Sequence, residues 1–187
     1  MKKILFITLL TFLFVSCNSI NYKDLQLMGI VYDNENQCLQ FCEIYLNNKL
    51  VAKTDLNGHF KILIDEPYLK ELVVKKKNYE IKKMNLDEIS NSKCLFIKLK
   101  SSEELFAEIL KELDYENYKN ASELCELIYC DDEEKYKTNF INAYSKINIK
   151  EFDEARNIID DLEMSKYKDE NLLKLIKFYQ SKYESAD

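Results

Sequence analysis

The sequence predicts an α+β multidomain protein: an N-terminal seven-stranded β-sandwich followed by an all-α helical-repeat module of two helix pairs and a capping helix. Three observations predict it. Between Leu27 and Leu99 apolar and polar residues alternate with period two, the mark of half-buried strands. Beyond Lys100 the period becomes helical, and this half matches itself at a shift of 34 residues. Charge divides at the same place: residues 18–100 carry 13 Lys against 11 acids, net +2, whereas 101–187 carry 12 Lys plus Arg against 22, net −10. The expected segments are 1–16, 17–26, 27–100 and 101–187.

The first segment carries Lys2 and Lys3 ahead of an apolar run from Ile4 to Val15 that only Thr8 and Thr11 interrupt. That run falls short of the roughly 20 residues a membrane-crossing helix needs, and it reads as a secretion signal peptide over 1–16. Leu13-Phe14-Val15-Ser16-Cys17 resembles the lipobox of bacterial lipoproteins, with Phe14 where Leu is usual. The resemblance implies cleavage before Cys17, lipidation of that thiol and a lipidated tether over 17–26. Two or more acyl chains make a stable anchor without a transmembrane helix. The expectation is an exported chain, periplasmic or surface-facing, whose membrane-lipid contact runs through Cys17.

Seven strands are expected near 27–32, 41–46, 50–54, 59–64, 70–76, 79–86 and 94–99. Between the third and fourth, Asp55-Leu56-Asn57-Gly58 is a tight-turn sequence: Asn-Gly tolerates positive φ, and Asp55 can accept hydrogen bonds from the turn backbone. Many short strands at this spacing favour a sandwich. The runs MGIVYDNENQCLQFCEIYL, TDLNGHFKI and LVVKKKNYE resemble the carboxypeptidase regulatory-like domain, a transthyretin-like β-sandwich. Gly29, Val31, Asp33, Leu39, Ile44, Thr54, Asp55, Gly58, Phe60 and Tyr79 fill that pattern, with Cys38, Cys42 and Asn78 where Pro, Ala and Gly are usual. The resemblance makes Asp55, Asn57 and Gly58 determinants of the fold, not of chemistry.

Catalytic and cofactor chemistry is not expected. A zinc peptidase needs two His and a Glu on the metal, and this chain has His59 alone, at a variable turn position. Asp33 to Gln37 lacks the glycine and distal Glu of a calcium loop. Cys38, Cys42, Cys94, Cys125 and Cys130 are odd in number, and Cys38 and Cys42 would stand roughly 13 Å apart on an extended chain. We read these five as buried structural thiols. One disulfide, or a metal site from CLQFC and His59, is the alternative, although that spacing is not a zinc knuckle's.

In the second half Ser101-Ser102-Glu103-Glu104 offers a helix cap with acids in the first turn. The 34-residue shift pairs Phe106 with Phe140, Ala107 with Ile141, Leu110 with Tyr144, Leu113 with Ile147, Tyr118 with Phe152, Ala121 with Ala155, Leu124 with Ile158 and Ile128 with Leu162. NAYSKINIKEFDEARNIIDDL resembles the tetratricopeptide repeat, with two extra residues between its helices and without the terminal Pro. A last helix over 168–184 should cap the stack with Leu172, Leu175, Ile176 and Tyr179 on one stripe. The resemblance implies a protein partner at the helical module. The acidic surface argues against nucleic acid, whose binders cluster Lys and Arg, and no small-molecule substrate is evident.

The expected function is therefore a non-enzymatic, protein-binding or scaffolding lipoprotein of the cell envelope. The rivals are an enzyme or accessory subunit acting on cell-wall or glycan substrates through acids such as Asp160 and Asp161, and a self-associating envelope protein. Lys75, Lys76 and Lys77, across a hairpin at Asn78 from Lys82 and Lys83, form a candidate docking patch. It faces either the acidic helices or anionic headgroups. We favour the helices, because two repeats need a neighbour to pack against.

Overall fold

The structure, a computed structural model, describes residues 25–64, 71–86 and 94–185. The expected signal peptide, Cys17 and most of the expected tether lie outside the described residues. The fold is α+β, with strands in sheets followed by five helices among the described residues. Strands β1 (Leu25–Tyr32), β4 (His59–Ile64) and β8 (Cys94–Lys98) form a three-stranded sheet in the order β4-β1-β8. Strands β2 (Glu43–Leu46), β3 (Lys49–Lys53), β5 (Glu71–Lys75) and β7 (Lys82–Asn85) form a four-stranded sheet in the order β3-β2-β5-β7.

Period-two alternation is what lets both sheets bury one face. Leu27, Val31, Phe60, Ile62, Leu95 and Ile97 of the first sheet and Ile44, Leu46, Leu72 and Val74 of the second belong to one buried cluster. Residue 29 shares that inner face and is glycine, since a Cβ there would come 2.5 Å from the ring of its cross-strand partner Phe60. The β2–β3 hairpin turns at Asn47 and Asn48, both at positive φ (43° and 68°), the pair of left-handed residues that a two-residue turn of type I′ requires.

The Asp55 turn is built as its residues predict. Asp55 Oδ1 accepts from the Asn57 N–H at 2.9 Å and the His59 N–H at 2.8 Å. Gly58 stands at φ 74°, and a Cβ on it would meet the Val31 carbonyl oxygen at 2.6 Å. Beside it Thr54 is buried, its hydroxyl accepting from the Cys42 N–H and donating to the Leu39 carbonyl.

Two expectations about strands are corrected. In place of seven strands the described residues hold nine, in three sheets, because the expected strand 79–86 breaks at Ile81. Its first part, β6 (Tyr79–Glu80), leaves the four-stranded sheet and pairs antiparallel with β9 (Ile128–Tyr129), which lies within the helical half.

The helices are α1 (Ser102–Asp114), α2 (Tyr118–Leu127), α3 (Asp132–Asn148), α4 (Phe152–Met164) and α5 (Glu170–Glu184). Ser101 caps α1 in a capping box with Glu104, and Asp131 and Asp169 cap α3 and α5. The α1–α2 and α3–α4 turns match hydrogen bond for hydrogen bond at a shift of 34: Glu116 N–H to Leu113 answers Lys150 N–H to Ile147, and Asn117 N–H to Glu112 answers Glu151 N–H to Lys146. Glu116 and Lys150 both end their helices in the left-handed region, at φ 58° and 65°. Ala121 and Ala155 are both fully buried, where α2 and α4 pack closely on α1 and α3.

Three helical expectations are corrected. Ile128, matched to a helical Leu162, is strand, since α2 ends at Leu127 and Ile128 turns extended at ψ 123°. Leu110 is 57% exposed, because Leu105 and Ile109 point the α1 stripe inward one position earlier. On α5 Leu175 is exposed, and Leu173, Ile176 and Gln180 are the buried residues.

Because Gly58 needs a positive φ that a β-branched residue reaches only with strain of about 1–3 kcal/mol, Gly58→Val should melt about 2–12 °C below the parent. Lys61→Ala, at an exposed position, should melt within error of the parent. Thermal denaturation of both variants checks this; equal melting temperatures would contradict the turn geometry.

Candidate functional site

The feature that organises the helical half is the stretch from Lys76 to Ile81. Lys76 and Tyr79 close a turn through the Tyr79 N–H, with Asn78 at φ 67°, a conformation Asn tolerates better than most residues. The next residues are hydrogen-bonded on both sides. Toward the helices, Asn78 N–H donates to Tyr129 O at 2.7 Å and Ile81 N–H to Leu127 O at 2.6 Å. Toward the β8–α1 connection, Glu80 N–H donates to Lys100 O at 2.9 Å and Ser102 N–H to Asn78 O at 2.9 Å. The buried Glu80 carboxylate accepts from the Lys100 N–H at 3.0 Å.

The five candidate lysines divide, because strand residues alternate faces and Lys76 and Lys77 lie in the turn after β5. Lys77 reaches Asp131 at 3.2 Å, Lys76 donates to the Gln40 carbonyl at 2.8 Å, and Lys82 pairs with Glu80 at 3.7 Å. Lys75 sits 5.0 Å over the Tyr45 ring, and Lys83 is exposed beside it. Only Lys75 and Lys83 share a surface, one wall of a cleft of about 720 Å³. Glu123, Glu126 and Leu127 of α2 form the opposite wall, and Val73 and Ile81 contribute apolar lining.

This cleft sets cations on the sheet against carboxylates on the helix. Glu123 and Glu126 are exposed, and Glu71, on the sheet side of the cleft, is half-buried. Glu126 also lies 3.7 Å from Lys146, a side chain only 12% exposed that bonds Glu151 at 2.6 Å and Glu154 at 2.7 Å. Burial alone would lower the Lys146 pKa, yet those two carboxylates hold it above the usual lysine range. Lys146 thereby ties α2, α3 and α4 together. The sequence carried the signal for it, Lys146 with acids five and eight residues on, but only the chain's return brings them within reach.

Asp160 and Asp161 are exposed on α4; Asp161 borders a hollow of about 510 Å³ with Tyr136, Asn139 and Lys166. His59 is exposed, 3.7 Å from Asp55. All five described cysteines are free thiols. Cys42 and Cys125 are buried as expected, and burial raises both, Cys125 to about 12. Cys38 and Cys94 are exposed, which corrects the expectation of five buried thiols: Cys38 sits on a surface loop and Cys94 on the outer face of an edge strand. Among the described residues no group of three or more His, Cys, Asp or Glu could hold a metal ion.

No family model and no curated protein sequence matches this chain.

The Glu134 N–H, then the Lys77 ammonium, hold the Asp131 carboxyl below its ordinary 3.8. A depressed folded pKa gives stability that is fully present above the unfolded value and lost as pH falls through the folded one. The melting-temperature gap between the parent and Asp131→Ala should therefore be constant at neutral pH and narrow below about pH 4. Melting curves across that range check it; a gap that stays the same width in acid would mean the Asp131 charge does not contribute.

Proposed function

We propose that this chain is an exported lipoprotein, cleaved and lipidated at Cys17, that holds a non-enzymatic protein-binding or scaffolding body at a membrane of the cell envelope. The observation that carries the reading is the leader itself: Lys2 and Lys3, the apolar run from Ile4 to Val15, and Leu13-Phe14-Val15-Ser16-Cys17. Among the described residues no helix is long and apolar enough to cross a membrane, so retention there falls to the lipid.

On this reading β1 to β5, β7 and β8, seven strands in two sheets, are a sandwich of the carboxypeptidase regulatory-like kind. Two sheets around one core and the Thr54, Asp55, Gly58 and Phe60 turn support it. The helical half is two tetratricopeptide-like pairs with α5 as the cap, supported by the paired turns at Glu116 and Lys150. The partner is a protein, bound at the helical module. The cleft between the sheet and α2 suits an extended peptide with charges of both signs, which Lys75 and Lys83 on one wall and Glu123 and Glu126 on the other would hold in register.

Cys17→Ala should abolish metabolic lipid labelling and move the protein from the membrane to the soluble fraction after a salt wash. Membrane retention of the unlabelled variant would contradict the anchor.

A further inference from the structure

The outer face of the three-stranded sheet carries exposed apolar side chains among polar ones, and no described residue covers them. Its three strands bring outward side chains into rows across β8, β1 and β4 by their register: Cys94, Met28 and Lys61; then Phe96, Ile30 and His59; with Leu63 opposite Gln26 at the start of β1. Phe96 is 74% exposed, Leu63 61% and Met28 43%. A hollow of about 400 Å³ on this face is lined in part by Met28, Cys94, Lys53 and Lys61. Contiguous apolar surface of this kind on a folded domain marks a contact site.

We propose that this face rests on the membrane surface that carries the Cys17 lipid, an inference that depends on the anchor proposed above. Chain length is the first argument for this occupant. Seven residues, 18–24, separate Cys17 from β1, so Leu25 stands at most about 25–30 Å from the lipidated atom. Leu25 pairs with Ile64, so the Leu63 end of the face is the tethered end.

Composition is the second argument. Apolar tips among lysines are the side chains that enter a headgroup layer, the apolar groups toward the acyl chains and the ammonium groups toward phosphate. Lys53 and Lys61 border the hollow with Asp55 and His59, and Lys98 follows Phe96 on the same face of β8, so lysine predominates. Direction is the third. β1 and β8 run parallel away from the tethered end and lead to Tyr32 and Lys100, where α1 begins. On the opposite side of the strand core, α2 faces the outward Tyr45, Lys75 and Lys83 of the four-stranded sheet, so the helical half, net −10, stands away from anionic headgroups.

The chain contains no Trp, so a single indole reports its own depth. Phe96→Trp and, as a control on the exposed face of α5, Leu175→Trp are made in the full-length lipidated protein and reconstituted on phosphatidylethanolamine–phosphatidylglycerol vesicles containing brominated acyl chains. Both positions are exposed, and matching circular dichroism spectra confirm the fold. The expected result is that the Phe96→Trp protein loses most of its emission and shifts to the blue, while the Leu175→Trp protein is unquenched. If the protein sediments with vesicles but both indoles respond alike, the docking face is overturned and the anchor stands. If it fails to sediment with vesicles, the anchor fails and the docking face falls with it. A blue shift of the Phe96→Trp protein that grows with protein concentration without vesicles assigns the face to a second copy and overturns the proposal.

Discussion

Four backbone hydrogen bonds around residues 78–81 constrain the whole molecule. The short strand β6 is bonded on one side to the chain leaving β8 and on the other to the extended residues between α2 and α3. A buried backbone donor without a partner costs about 1–3 kcal/mol, so once β6 departs from the four-stranded sheet its amides must find acceptors elsewhere. The Tyr79 and Glu80 amides find them in Lys76 and Lys100, and the flanking Asn78 and Ile81 amides in Tyr129 and Leu127. The helical half is thus attached at two points of its own sequence, not only through the chain connection.

The energy of that attachment is not ionic. Lys77 and Asp131 are both about half exposed, and such pairs contribute about 0–1 kcal/mol. Apolar burial lies on either side of the junction: Leu99 is fully buried in the strand core, and Leu105, Ile109 and Ile128 are buried in the core between α1 and α2, each worth roughly 1.5–3 kcal/mol. Charge then selects the register, with Asp131 both capping α3 and receiving Lys77. The rest of the stack follows outward from α1, each helix packing on the next and α5 closing on both α3 and α4.

Much of this architecture was legible in the residues because it rests on local rules. Alternation placed the strands, Asn57-Gly58 the turn, Ser101 the first helix cap, and the change of period beyond Lys100 the helices. The β6–β9 pairing was not legible, since two residues have no period and the partners lie about 50 positions apart. Inward and outward stripes on α1 and α5 were misplaced by one or two residues, because Leu110 and Leu175 are as apolar as Leu105 and Leu173; only the direction of the neighbouring helix decides which is buried. How the five lysines divide was hidden for a related reason. Clustering along the chain says nothing of facing, and the strand pleat sends Lys75 and Lys83 to one surface and Lys82 to the other.

If β6 joins strands and helices into one cooperative unit, the Asn78 and Ile81 amides are protected as strongly as any in the molecule. Native-state hydrogen exchange tests this most directly. These two amides are predicted to open with the same free energy as Val31, whose N–H bonds Gly58 O in the strand core, and with the same denaturant dependence as global unfolding. Exchange at Asn78 and Ile81 through a low-energy opening, shared with the helices while Val31 stays protected, would contradict it.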